Sequence, residues 1–247
     1  MKAEGVNYIV DIHNHVLSGV DDGSNSLEES IRLLKSAKMQ GIDVVVASPH
    51  FNHHQFSCTL LDLKRSFEEL RQRIKNENIG ITLLLSHEIF LTIDFYEKYS
   101  MDELFPLITT RGEKKILVEL PYYELPYYFE DFVIQTLQKN VSCIWVHPER
   151  NVSIQNNWKN IFDFVDKNKL EIQITAGSLI GNYGKKSKKI AWKLIKSGVV
   201  DYIASDAHNL VSRPFELAKA YELIHKKLGS EAVVKLQKKA ESFAIKT

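Results

Sequence analysis

The sequence predicts a parallel α/β fold, closed or nearly closed into a barrel. Three observations carry this: seven short apolar runs recur along 247 residues, amphipathic segments separate them, and most runs end in histidine or a carboxylate. Continuous rather than alternating apolar runs mark strands covered on both faces, as in parallel sheets. Strand alternating with helix gives right-handed βα units. Seven such units point to a barrel one short of the usual eight, and a doubly wound open sheet is the alternative.

In chain order, the first run is Tyr8-Ile9-Val10-Asp11-Ile12. Ser26-Leu27-Glu28-Glu29 then has the form of a capping box, with Leu27, Ile31 and Leu34 on one helical face and Gly41 as a stop. Residues 43–47 form the second run, and Leu63, Phe67, Leu70 and Ile74 repeat at helical spacing before the third at 81–85. The fourth run, 116–118, leads into a tyrosine-rich stretch at 121–128, placed as a functional loop or a packed surface loop would be. Phe129, Phe132, Val133 and Leu137 predict the next helix, followed by the fifth run at 141–146. Trp158, Ile161, Phe162 and Val165 precede the sixth run at 170–174. Ile190, Leu194 and Ile195, closed by Gly198, precede the seventh at 199–204. Amphipathic stretches near 217–228 and 232–243 finish the chain, and no linker or low-complexity tract interrupts it, so one domain spans 1–247.

The 32 basic and 31 acidic residues leave a formal charge of +1. That argues against sequence-independent nucleic-acid binding, which needs a strong basic excess. A small group of cations gripping one phosphate stays compatible with it. Two cysteines, Cys58 and Cys143, are too few for a disulfide scaffold and fit a reducing compartment. Residues 1–6 lack the apolar core of a signal peptide, and no run is long enough to span a membrane. The expectation is a cytoplasmic chain without membrane insertion.

The residues that end the runs carry the chemistry. His13 and His15 close the first run, His50 the second, Glu88 the third, Glu119 the fourth, His147 the fifth, and Asp206 and His208 the seventh. Side chains two apart on a strand point the same way, so His13 converges with His15 and Asp206 with His208. In a βα barrel the C-terminal strand ends build the active site on a rigid frame. Five imidazoles and three carboxylates gathered there are a metal site, whereas a single strand-end histidine would be structural. Mixed nitrogen and oxygen donors favour Mn, Fe or Zn over Ca or Mg, and their number implies two or three ions sharing bridging carboxylates. Arg150 and Arg213 follow His147 and His208 closely and suit bidentate contact with phosphate, the plainer alternative being surface salt bridges. Phosphate ester hydrolysis is the leading class. His53 and His54 lie on the loop after the second strand and read most simply as surface residues. His87 should point away from its neighbour Glu88, and His225 should be solvated on a terminal helix.

Asp11-Ile12-His13-Asn14-His15, His50, Glu88, Glu119, His147 and Ser205-Asp206-Ala207-His208 resemble the polymerase and histidinol phosphatase (PHP) superfamily across nearly the whole chain. Within it, Val20-Asp21-Asp22-Gly23-Ser24, Glu28-Glu29-Ser30, His147-Pro148-Glu149-Arg150 and the segment from Asp206-Ala207-His208-Asn209 to Arg213-Pro214 are similar to the bacterial manganese-dependent protein-tyrosine phosphatases of capsule and exopolysaccharide operons. The resemblance implies a distorted (β/α)7 TIM-like barrel of PHP type with up to three Mn²⁺ ions. His13, His15, Glu88 and Asp206 would hold the first ion. Glu88 would bridge to a second held by Glu119 and His147, and Asp22, His50 and His208 would hold the third. Asp21, beside Asp22, leaves a one-residue ambiguity in that loop ligand. Arg150 and Arg213 match the phosphate-gripping arginines, and the implied partner is the phosphotyrosine-rich tail of a tyrosine autokinase. A metal-bridging hydroxide would attack phosphorus in line while the two arginines hold the nonbridging oxygens.

Other chemistries fit less well. A cysteine-dependent phosphatase needs Cys-x5-Arg, whereas six residues separate Cys143 from Arg150 and Cys143 lies inside a run. An amidohydrolase would want lysine after the fourth strand and histidine after the sixth, where this chain has Glu119 and Thr175-Ala176-Gly177. A phosphatase of a small ester such as histidinol phosphate, a phosphodiesterase, and a non-catalytic metal-binding regulatory module are the remaining alternatives.

Overall fold

Position one of the barrel is β1 (Val10–Asn14), and α1 (Leu27–Met39) leads to position two, formed by β2 (Val44–Ala47) and its continuation β3 (His50–Phe51). The structure, a computed structural model, describes residues 2–168 and 170–244. After α2 (Leu60–Asn76), β4 (Thr82–Leu85) and β5 (Glu88–Phe90) share position three. Two short elements follow, α3 (Phe95–Lys98) and β6 (Leu107–Ile108), before β7 (Lys114–Glu119) takes position four. The fifth and sixth positions are β8 (Val141–Val146) and β9 (Glu171–Thr175), with α4 (Phe129–Gln138), α5 (Val152–Asn156) and α6 (Asn160–Asn168) around them. Beyond α7 (Ala176–Ile180) and α8 (Gly184–Lys196), β10 (Tyr202–Ala204) is the seventh, and α9 (Leu217–Leu228) and α10 (Ser230–Glu241) end the order.

All neighbouring pairs are parallel except β6 with β7, in ladders β1-β2-β4 and β3-β5-β7-β8-β9-β10. Strands two and three are therefore split, which run-reading of the sequence does not show. Pro49 supplies no N–H to the ladder at the break. Pairing is carried across it by Ser48 N to Asn14 O (2.9 Å), Ser86 N to Ala47 O (2.8 Å) and Glu88 N to Pro49 O (2.9 Å). Closure happens at the mouth, beyond β10, where Asn14 bridges Ala207 and Asp206 N donates to His13 O at 2.8 Å. Asp11 tightens the seam by accepting from the Ser205 amide (2.8 Å) and hydroxyl. Burial pushes the Asp11 carboxyl up to about 6, although the Ser205 donors favour its charge.

The continuous apolar runs are explained by two buried faces. Val10, Ile12, Val44, Val46, Leu117, Ile144, Val146 and Tyr202 face the barrel interior together with Phe243. Val45, Val118, Cys143, Trp145, Ile172 and Ile203 face the surrounding helices. Phe243 packs 5.7 Å from the Tyr202 ring, so the C-terminal segment fills one end of the barrel and leaves the strand C-terminal ends for chemistry.

The anticipated helical faces are buried, among them Ile31 and Leu34 of α1, Leu63 and Leu70 of α2, and Ile190 and Leu194 of α8. The capping box at Ser26 is only half formed. Its side chain accepts from Glu29 N (3.2 Å), but the Glu29 carboxylate takes the Asn25 amide (3.0 Å). A complete box caps α2, between Thr59 and Asp62. No helix among the described residues is long and apolar enough to cross a membrane.

Candidate metal centre

Six of the seven barrel positions deliver side chains to one mouth. His13 lies on β1 and His15 just past it, His50 opens β3, Glu88 opens β5, Glu119 closes β7, and His147, Asp206 and His208 follow β8 and β10. His147 (φ 39°) and Asp206 (φ 53°) adopt the left-handed region, uncommon for residues with a Cβ and concentrated where function over-determines the backbone.

Glu88 is central and 1 % exposed. Its Oε2 lies 3.3 Å from His13 Nε2, 3.5 Å from His15 Nε2 and 3.0 Å from His50 Nδ1, while Oε1 lies 2.7 Å from His147 Nε2. Asp206 Oδ1 stands 3.3 Å from His15 Nε2 and 3.8 Å from His13 Nε2. Glu119 reaches within 3.6 Å of His50 Nδ1 and 4.0 Å of His147 Nε2. Asp22 Oδ1 is 3.5 Å from His50 Nε2 and 3.3 Å from His208 Nε2. All nine residues anticipated from the sequence thus converge. Three groupings could each surround a cation: His13, His15 and Glu88; His50, Glu88 and Glu119; and His15, Asp22, His50 and His208. His15 and His50 each belong to two of them, one more grouping than the sequence suggested, while His147 and Asp206 stand beside the cluster in none of the three.

Residues behind the cluster aim the rings. Gln173 Oε1 lies 2.9 Å from His13 Nδ1 and Asp21 Oδ2 lies 2.7 Å from His15 Nδ1, so each ring turns Nε2 to the centre. Asp21 also accepts from the backbone amides of Gly23 (2.9 Å) and His50 (3.0 Å). The two loop aspartates thus point differently: Asp21 turns to His15 and the backbone, and Asp22 faces His50 and His208. Carboxylate or amide partners on the far nitrogen are characteristic of metal-ligating histidines.

The donor atoms fit a cation. His50 Nδ1, Glu88 Oε2, Glu119 Oε2 and His208 Nε2 are buried and lack a hydrogen-bond partner of acceptable geometry, a costly state unless another group satisfies them. Burial opposes charge on His13, but Glu88 and Asp206 outweigh it and raise the ring to about 9. Burial likewise opposes His50, yet Glu88 and Glu119 raise it to about 10. Burial, with Arg150 beside one ring and His15 beside the other, holds His147 and His208 down to about 4. Burial and the neighbouring Glu88 push the Glu119 carboxyl up. Cationic charge is drawn into this mouth by its carboxylates.

Both anticipated arginines are here, and both clasp Asp206. Arg150 Nη2 donates to Asp206 and to Thr175 Oγ1 (2.8 Å). Arg213 Nη2 meets both Asp206 oxygens at 3.0 and 3.1 Å, and its Nη1 lies 3.4 Å from Asp22. Although burial opposes it, this pair holds the Asp206 carboxyl well below the usual range. Asn209 shapes the turn that returns Arg213 to the mouth, its Oδ1 accepting from the amides of Val211, Ser212 and Arg213.

Tyr183 joins the arginines and was not anticipated. The Arg150 guanidinium lies 3.7 Å above its ring centroid, and Arg213 Nε donates to its hydroxyl at 3.2 Å. Gly177 makes room, since a Cβ there would approach Tyr183 Cε2 to 2.8 Å. Gln173 was missed too. Its one signal is a polar residue inside an apolar run, which Asp11 shares. His87 is fully buried between the Phe51 and Phe105 rings, away from the cluster as expected. His225 is exposed. His53 and His54 join no cation grouping, but the His53 ring lies tilted with its centroid 4.8 Å from that of His50 and is half-buried, more enclosed than a surface histidine. Residues 121–128 form no helix or strand, as a loop should.

Residues 9–245 match the model of a family described as capsular polysaccharide synthesis, CpsB/CapC. A CapC protein of Staphylococcus aureus is 35% identical over 86% of this chain and 82% of its own length. The tyrosine-protein phosphatase YwqE of Bacillus subtilis is 31% identical over 94% of this chain and 90% of its own. A crystal structure from work on YwqE of Bacillus subtilis and CpsB of Streptococcus pneumoniae, described as metal-dependent tyrosine phosphatases, superposes with a TM-score of 0.87 at 30% identity, covering 97% of this chain and 96% of the other.

Proposed function

This chain belongs to the CpsB/CapC capsular polysaccharide synthesis family, and on that premise we propose that it hydrolyses phosphotyrosine in protein as a metal-dependent tyrosine-protein phosphatase. The observation that carries the reading is the convergence at one mouth of nine ligand-type residues, four of whose buried donor atoms lack a hydrogen-bond partner of acceptable geometry, with two arginines beside them.

His13, His15, Glu88 and Asp206 would hold one ion, Glu88, Glu119 and His147 a second, and Asp22, His50 and His208 a third, within one domain spanning 1–247. Mixed nitrogen and oxygen donors suit Mn²⁺, Fe or Zn, and of these we take Mn²⁺, the ion that the resemblance implies. Bound there, such ions supply positive charge to the phosphoryl oxygens and acidify water at neutral pH. Gln173 and Asp21 keep the His13 and His15 rings aimed before substrate arrives. Arg150 and Arg213 bind the nonbridging phosphoryl oxygens, and Tyr183 holds the two guanidinium groups in mutual register. A tyrosyl leaving group has a conjugate-acid pKa of about 10 and departs with little protonation, so no side chain need serve as general acid. The substrate we infer is the phosphotyrosine tail of a tyrosine autokinase acting in polysaccharide export, met in the cytoplasm.

Parallel rates on a phosphotyrosine peptide, p-nitrophenyl phosphate and histidinol phosphate with added Mn²⁺, alongside elemental analysis of the protein, test this. Phosphotyrosine peptide as the best substrate supports the proposal. Histidinol phosphate as much the best substrate refutes it in favour of a small-ester phosphatase, and absence of turnover with Mn, Fe and Zn refutes it in favour of a regulatory module.

A further inference from the structure

We propose that the cavity beside the metal centre is an aryl slot, which seats the ring of an aryl phosphate while its phosphoryl group meets Arg150 and Arg213. The inference deepens the phosphatase proposal and rests on it. The cavity measures about 280 Å³, and its lining includes Glu119, Arg150 and Arg213 on the side of the cluster together with Leu120, Tyr122 and Tyr183. That volume falls just below the range of about 300–1,000 Å³ typical of drug-sized ligands, so it suits one ring and its phosphate. Tyr122 is 55% exposed, which leaves one wall of the slot uncovered until an aromatic surface packs on it.

The second observation is how the slot is assembled. The three residues after Arg150 fasten the tyrosine-rich loop through its backbone. Asn151 Nδ2 donates to Pro121 O (2.8 Å) and Glu124 O (2.9 Å), Val152 N to Tyr122 O (2.9 Å), and Ser153 Oγ to Tyr123 O (3.1 Å). One short segment therefore sets the position of both the guanidinium that meets phosphate and the aromatic wall beside it. Arg150 is tied in turn to Tyr183, a second tyrosine of a slot that Trp145 also lines. A phosphoserine side chain has no ring to cover the wall, so the slot favours aryl over alkyl phosphates.

Calorimetric titration of the metal-loaded protein with phenylphosphonate and methylphosphonate, neither of which is a hydrolysable ester, tests the slot apart from turnover. The wild type should bind phenylphosphonate about 3- to 10-fold tighter than methylphosphonate, the range of one aromatic contact. Tyr122→Ala should abolish that preference while binding methylphosphonate as before, and Tyr122→Phe should restore it. Equal wild-type affinity for the two phosphonates, a preference that survives Tyr122→Ala, or equal loss of both ligands in that variant overturns the slot. Failure of the wild type to hydrolyse p-nitrophenyl phosphate is a separate result and overturns the phosphatase proposal beneath it.

Discussion

Arg150 and Arg213 meet at Asp206, and what each guanidinium does there follows from its shape. Arg150 donates from one nitrogen, Nη2, to both Asp206 and Thr175 while its guanidinium face rests on the Tyr183 ring. An ammonium has no planar face to lay on that ring and no second nitrogen to present to phosphate. Arg150→Lys should lower kcat/KM for a phosphotyrosine peptide about 10- to 100-fold, the scale of one charged hydrogen bond, with metal content by elemental analysis unchanged. Loss of metal in that variant would make Arg150 a support for Asp206 rather than a phosphate ligand. Residue type and spacing suffice to pick out His13, His15, His50, Glu88, Glu119, His147, Asp206 and His208, because strand ends are visible in a sequence. They do not separate Asp21 from Asp22, since two adjacent carboxylates differ only in the direction the loop turns each one. Gln173 and Tyr183 are illegible for another reason: their partners, His13 and the two arginines, are remote in the chain.

The long elements are legible because they repeat. α1, α2, α4, α8, α9 and α10 each span nearly three turns or more and show an apolar stripe, whereas α3, α5 and α7, at four or five residues, are too short to show a period. The interruption of strands two and three depends on one missing donor at Pro49 and on neighbours supplying the bonds around it. α7 matters most to the site, because its Gly177 lies against Tyr183. In Gly177→Ala the new methyl must displace the tyrosine ring or the helix. This should cost about 1–3 kcal/mol of stability by overpacking and shift both arginines, read as a lowered thermal midpoint with a rise in KM for aryl phosphates. An unchanged KM would show that Tyr183 does not position them.

Across the whole molecule, the candidate ligands tie together six barrel positions whose seam between β1 and β10 is closed chiefly at the mouth. Ions that bind the folded chain and not the unfolded one stabilise it by mass action, about 2.7 kcal/mol per site at a hundredfold excess over Kd. Chelation should therefore lower the thermal midpoint by about 5–10 °C for each ion removed from a chain of this length. The sign with pH follows from His13 and His50, which the surrounding carboxylates, against burial, raise to about 9 and 10. Both rings must shed protons to bind metal, so the midpoint gained from a fixed Mn²⁺ concentration should grow as pH rises from about 6 to 9. Differential scanning calorimetry with and without chelator measures both, and a midpoint indifferent to chelator would refute the strand-tying role. Apolar period and strand-end chemistry are local properties, and they are enough to mark seven α/β units whose strand ends carry imidazoles and carboxylates suited to a metal. The Asp21–Asp22 division of labour, the Tyr183 link between the arginines and the tethered loop beside Arg150 arise from contacts between distant segments, which exist only once the barrel has brought its strand ends together.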